Sequence, residues 1–136
     1  MRKSLQSYRK VSVESEISVA SPHRIIQMMF EGALQRLAQS RYAIENNDIQ
    51  NKGIYISKAI GIITGLNNSL NMDAGGDIAN NLSDLYDFML RKISEANLNN
   101  DVQAIDDVCE IIRTIKEGWD AIPQNEHHNV SHTEAI

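Results

Sequence analysis

Apolar residues recur every three or four positions through most of this chain, which is the spacing of one face of an α-helix. Four segments carry such a stripe, and short runs rich in Asn, Asp and Gly separate them. In chain order the segments are 22–44, 49–70, 77–96 and 102–122. The pattern therefore predicts four helices, each roughly 20 residues long, within the usual range for globular proteins.

Local signals place several of the predicted helix ends. Ser21 can accept a hydrogen bond from a free backbone N–H group, and Pro22 suits the first helical position, where no donor is needed. Asp101 has the same capping role before the fourth helix. The run that ends in Gly75-Gly76 is expected to separate the second and third helices, and Pro123 ends the fourth.

One face of each predicted helix is apolar enough to form a core. Since the connections are short, successive helices should be antiparallel neighbours, which predicts an all-α, up-down-up-down four-helix bundle. The core positions predicted from helical angles are Ile26, Met29, Phe30, Ala33, Leu37 and Ile44; Ile49, Ile56, Ala59, Ile60, Ile63, Leu66 and Leu70; Ile78, Leu82, Leu85, Met89, Ile93 and Ala96; Ile105, Val108, Ile112, Ile115 and Trp119.

The two ends of the chain have a different character. In the N-terminal stretch, Val11, Val13, Ile17 and Val19 all occupy odd-numbered positions, which is typical of extended chain. After Pro123 the sequence is polar and is expected to be disordered. We therefore predict an N-terminal arm at 1–20, a bundle at 21–123 and a disordered tail at 124–136.

Several apolar residues point away from the predicted core. Ile54 lies almost opposite the core face of its helix, beside Gly61 and Gly65, and a Gly-x-x-x-Gly spacing lets another backbone approach closely. Such residues need a second contact, either within the chain or with a partner. The predicted partner-binding groove or its cap comprises Tyr8, Val11, Ile17, Ile25, Met28, Ile54, Gly61, Ile62, Gly65, Phe88 and Leu90.

The arm offers an intramolecular contact for this surface. Tyr8, Val11 and Ile17 are apolar but too few to fold alone. Our hypothesis is that the arm covers a groove in the free protein and yields to a partner that docks there as a helix or an extended segment.

Composition narrows the function classes. The formal charge of −5 argues against a general nucleic-acid binder. The single cysteine, Cys109, excludes an internal disulfide and fits a reducing cytoplasm. The chain has no apolar run long enough for a membrane span and no hydrophobic signal core. We expect a cytoplasmic protein without nucleic-acid binding or membrane insertion.

The motifs expected of enzymes and cofactor bundles are absent. The sequence has no Glu-x-x-His pair for a di-iron site and no Cys-x-x-Cys-His for haem. It offers no nucleophile beside a base. His23 is interpreted as a solvated residue of the first helical turn, and His127, His128 and His132 as part of a disordered tail rather than a metal site. No catalytic residue, metal or cofactor is predicted.

The order and spacing of several short segments make the sequence resemble the flagellin export chaperones of the FliS family. The resemblance covers about residues 8–123, and one departure is Phe30, where the family commonly has Tyr. The matching pieces are Tyr8, Ala20-Ser21-Pro22, residues 25–33, Lys58-Ala59-Ile60-Gly61-Ile62-Ile63 with Leu66, residues 75–82, Leu85-Tyr86-Asp87-Phe88-Met89, and Glu117-Gly118-Trp119 before Pro123.

The resemblance implies a small cytoplasmic helical bundle without enzymatic activity. Members bind the disordered C-terminal segment of flagellin, prevent its premature polymerisation and keep it competent for flagellar type III export. The export apparatus and regulators of flagellar assembly are further expected partners, and the segment around Tyr8 is expected to cover the binding surface in the free protein. The alternative left open by the residues is a helical regulator or obligate dimer whose apolar strip is its own interface.

Overall fold

The computed structural model describes residues 21–123 and Asn125, and within them the chain forms four helices and no strand. They are α1 (Pro22–Glu45), α2 (Ile49–Asn68), α3 (Met72–Asn99) and α4 (Val102–Asp120). The predicted all-α architecture of four helices is confirmed. The predicted arm at 1–20 and nearly all of the predicted tail lie outside the described residues.

Each helix begins with a polar side chain that accepts a hydrogen bond from a backbone N–H of the first turn. The Ser21 hydroxyl accepts from Arg24 at 3.1 Å, and the Asp101 carboxylate accepts from Ala104 at 3.1 Å. Both capping residues agree with the sequence prediction. Asp48 and Asn71 cap α2 and α3 in the same way.

Contacts between helix ends establish the antiparallel arrangement. Arg41, near the end of α1, donates to Asp106 near the start of α4 at 2.9 Å. Lys52, near the start of α2, donates to the carbonyl oxygen of Asn97 near the end of α3 at 3.0 Å. Helix α1 packs against α2 and α4, and α3 packs against the same two helices. The helices thus follow one another around a closed ring.

The core lies along the axis of this ring and contains most of the predicted positions. The prediction that Ile49 and Ile78 belong to the core was wrong, since 76% and 44% of their surfaces are exposed. Ile49 is the first residue of α2, at the end of the bundle, and Ile78 follows a break in α3. The largest fully buried apolar side chains are Phe30, Leu37, Ile56, Ile63, Leu66, Tyr86, Met89, Ile93, Ile105, Ile112 and Trp119.

His23 is buried, so its interpretation as a solvated residue was wrong. Its ring stacks on that of Trp119, with ring centroids 4.9 Å apart and an interplanar angle of 6°. Its Nε2 lies 2.7 Å from the Trp119 carbonyl oxygen, and Trp119 Nε1 donates to the His23 carbonyl oxygen at 2.9 Å. These contacts join the start of α1 to the end of α4.

Helix α3 starts earlier than the sequence predicts. Asn71 caps a first turn that begins at Met72, and the backbone then leaves helical geometry at Gly76, with φ 51° and ψ −126°. Glycine adopts positive φ without the steric cost of a Cβ atom. The predicted interruption is therefore a single kinked residue inside α3 rather than a loop before it.

Candidate partner-binding surfaces

An apolar groove lies between α1 and α2. Ile25, Met28 and Met29 of α1 and Ile62 of α2 line a depression of about 270 Å³. We call it the α1/α2 groove. Ile25 is 38% exposed and the other three side chains are half-buried. The structure thus brings together three of the predicted site residues and adds Met29, which the helical angles had assigned to the core.

Two glycines let these side chains pack closely across the helix pair. A Cβ atom on Gly65 would lie 3.0 Å from the Met29 Cε atom, and one on Gly32 would lie 3.4 Å from the Ile62 Cδ1 atom. Met29 therefore covers Gly65, and Ile62 covers Gly32. Gly65 has an intramolecular packing role that shapes the groove.

Ile54 and Gly61 lie on α2 but do not line this groove. Ile54 is 42% exposed, and a Cβ atom on Gly61 would meet no atom within 4 Å. The predicted Gly-x-x-x-Gly strip is thus divided into one glycine that contacts α1 and one that faces open space.

A second, larger groove lies between α3 and α4. Leu85, Phe88 and Lys92 form its α3 wall, and its volume is about 590 Å³. The Lys92 Nζ atom lies 5.8 Å from the centroid of the Phe88 ring. We call it the α3/α4 groove. The residues of its α4 wall are Asp107, Glu110, Ile111, Thr114 and Ile115.

Leu90 lies elsewhere on α3. It lines a shallow depression of about 450 Å³ that also includes Leu98, and Leu98 is 82% exposed. Phe88 and Leu90 therefore do not join the α1/α2 groove, and the predicted residues belong to separate surfaces. Tyr8, Val11 and Ile17 lie outside the described residues.

Two features of the described side chains bear on metal binding and on thiol reactivity. Within residues 21–123, the structure contains no group of three His, Cys, Asp or Glu side chains that could hold a metal ion. Burial raises the pKa of the Cys109 thiol, which disfavours the reactive thiolate. In the same part of the chain, no helix is long and apolar enough to cross a membrane. What the geometry provides is surface for apolar contact.

Comparisons with known proteins match nearly the whole chain to one family. A family model described as "Flagellar protein FliS" matches residues 4–126. A protein of Vibrio cholerae named "Flagellar secretion chaperone FliS" is 52% identical over 134 residues, covering 98% of each chain. One of Pseudomonas aeruginosa named "Flagellar secretion chaperone FliSB" is 46% identical over 88% of this chain and 95% of its own. One of Salmonella typhimurium, again named "Flagellar secretion chaperone FliS", is 46% identical over 87% of this chain and 88% of its own.

Proposed function

This chain belongs to the FliS family of flagellar proteins, and we propose that it is an export chaperone that binds the disordered C-terminal segment of flagellin. The α1/α2 groove is the proposed contact surface. The relatives named above are secretion chaperones rather than enzymes, which supports a binding role without catalysis.

The observation that carries the proposal is the apolar groove itself. Ile25, Met28, Met29 and Ile62 form a depression, and among the described residues that line it none is charged. Burying an exposed aliphatic side chain fully contributes about 1.5–3 kcal/mol. A disordered partner loses conformational entropy when it becomes ordered, so an apolar contact of this kind is what useful affinity requires.

Binding at this surface has a direct consequence for flagellin. A segment that is held in the groove is unavailable for packing into a filament, so polymerisation in the cytoplasm is prevented. The partner must later be released to the flagellar export apparatus, which favours a complex that can be dismantled. We place the protein in the cytoplasm on this basis. The export apparatus and assembly regulators are further proposed partners.

The position of Ser21 supports a role for the arm. The Ile25 backbone N–H donates to the Ser21 carbonyl oxygen at 3.1 Å, so the chain enters α1 one turn from the groove. Extended chain spans roughly 3.3–3.6 Å per residue, which brings the Ile17 position within about 14 Å of Ser21. In our proposal the arm residues Tyr8, Val11 and Ile17 cover the groove until flagellin displaces them.

Calorimetric titration with a flagellin C-terminal peptide tests the proposal. Ile25→Asp puts a charge into the groove and should weaken binding at least tenfold. Leu98→Asp adds the same charge at a more exposed apolar site on α3 and should leave the affinity within twofold. Equal affinities for the wild type and both variants would contradict the assignment of this groove, and absence of binding at tens of micromolar would contradict the flagellin proposal.

Two further measurements separate the arm and dimer alternatives. Deleting residues 1–17 should raise both peptide affinity and the fluorescence of an apolar dye, and the cap proposal is wrong if neither changes. Light scattering at several concentrations should show a monomer. A dimer that Ile25→Asp dissociates would show instead that the groove is the chain's own interface.

A further inference from the structure

The charges around the α3/α4 groove are distributed unevenly. Each wall contributes apolar surface: Phe88 of the α3 wall is 38% exposed, and Ile111 and Ile115 of the α4 wall are half-buried. Its α4 wall carries the carboxylates of Asp107 and Glu110. The cation among its lining residues, Lys92, belongs to the α3 wall and lies over the Phe88 ring. The charged groups of the α4 wall are thus both carboxylates.

The cationic side chains of α4 do not neutralise that wall. Lys116 pairs with Asp120, which also accepts from Gln27 of α1 at 2.7 Å, so this pair lies on the α1 side of the helix. Arg113 follows Asp106 by seven residues and therefore lies on the same face of α4, where Asp106 accepts a hydrogen bond from Arg41 of α1 at 2.9 Å. Both cations therefore lie toward α1, and the carboxylates that face α3 dominate the groove's edge.

The dimensions of the groove suit a helix. Leu85 to Lys92 on α3 and Asp107 to Ile115 on α4 each cover about two helical turns, or roughly 11–12 Å at 1.5 Å per residue. An apolar stripe of a docked helix would meet Phe88 and Ile111. Positive side chains beside that stripe would meet Asp107 and Glu110, and such charge complementarity sets both orientation and partner choice.

From this complementarity we propose that the α3/α4 groove is a second docking site, for a basic amphipathic helix of a protein other than flagellin. The α1/α2 groove and the α3/α4 groove share no helix, so both sites can be occupied at once. The inference does not rest on the proposed flagellin contact, and either can fail without the other.

The test uses the full chain and a designed probe. The probe is a fluorescein-labelled 18-residue helical peptide with Leu along one face, Lys along one flank of that face and Gln elsewhere; a second probe carries Glu in place of Lys. Anisotropy should show binding of the Lys probe, with the Glu probe at least tenfold weaker. Equal binding of the two probes would overturn the proposal.

Variants locate the probe on the surface. The double variant Asp107→Asn with Glu110→Gln should weaken the Lys probe at least fivefold, and Phe88→Ser at least tenfold, with the helical circular dichroism unchanged. The matched control, Glu31→Gln with Glu45→Gln, removes two exposed carboxylates from α1 and should change the affinity less than twofold. If the two carboxylate pairs have equal effects, the attraction is unspecific and the proposal is wrong.

Two other segments could occupy the α3/α4 groove, and the probe experiment distinguishes each of them. The N-terminal segment contains Arg2, Lys3, Arg9 and Lys10, and changing all four to Gln in the full chain should leave probe affinity within twofold. A gain above fivefold would show that this segment occupies the groove and would overturn the proposal. An excess of flagellin C-terminal peptide should leave the probe bound, and its displacement would assign the groove to flagellin instead.

Discussion

His23 and Trp119 each bond to the other's backbone while their rings stack. Trp119 Nε1 donates to the His23 carbonyl oxygen, and His23 Nε2 lies within hydrogen-bond distance of the Trp119 carbonyl oxygen. Because a carbonyl oxygen only accepts, the His23 Nε2 atom carries the proton in this contact. The pair fixes the start of α1 against the end of α4, two residues from the helix cap Ser21.

Removing the indole should destabilise the fold. Trp119→Phe loses one buried hydrogen bond and part of the stacked surface, and we expect unfolding in urea to cost about 1–3 kcal/mol less free energy. Tyr42→Phe is the control, since Tyr42 is 70% exposed and its change should stay within about 0.5 kcal/mol. Equal stabilities of the two variants would show that the His23–Trp119 contact contributes little.

Sequence spacing contained the signal for this contact. His23 precedes Ile26 by three residues and Phe30 by seven, which places it on the core face of α1. Residue type misled the interpretation, because a histidine in a first turn is usually solvated. Tyr86 was missed in a similar way, although it follows Leu82 by four residues. Helical angles give direction, whereas burial also depends on a partner helix at the same height.

The glycines of α2 should respond differently to alanine. At Gly61 a Cβ atom meets open space, so Gly61→Ala should stabilise the helix by about 0.5–1 kcal/mol through lower backbone entropy in the unfolded chain. At Gly65 the Cβ atom would press on Met29, so Gly65→Ala should gain less or lose stability. Thermal unfolding of both variants measures the difference. Equal gains would mean that Met29 shifts at no cost.

The thiol of Cys109 should react slowly with Ellman's reagent in the folded protein. It is 6% exposed, and burial raises its pKa, so little accessible thiolate is present at neutral pH. Urea should speed the reaction by orders of magnitude. A variant with Cys109→Ser and Ser57→Cys carries its thiol at an exposed position of α2 and should react quickly without urea. Fast reaction at Cys109 would show that α4 opens readily.

Tyr86 should make stability fall in alkaline solution. Burial raises its pKa above the ordinary value near 10, so the folded state holds the phenolic proton more tightly than the unfolded chain. The resulting stabilisation is fully present below pH 10 and is lost as the pH rises above it. Urea midpoints at pH 9 and pH 11 should differ less in Tyr86→Phe than in wild type. Tyr42→Phe should keep the wild-type difference, and identical behaviour of all three would contradict the assignment.

The site was harder to predict than the fold. Capping residues and apolar stripes define helix ends and core faces locally, and these predictions succeeded at Ser21, Asp101 and most core positions. Which outward apolar residues meet depends on how two helices pack. Ile25, Met28 and Ile62 come together because α1 packs against α2, whereas Phe88 faces α4. A helical wheel for a single helix contains no such information.

Methyl NMR with labelled methionine tests the proposed flagellin contact most directly. The α1/α2 groove contains Met28 and Met29, whereas Met89 is fully buried and Met72 lies exposed at the start of α3. On titration with a flagellin C-terminal peptide, the Met28 and Met29 signals should shift to saturation while those of Met72 and Met89 stay in place. A saturable shift at Met72 with Met28 and Met29 unmoved, or no shift at any methionine, would contradict the assignment of the groove.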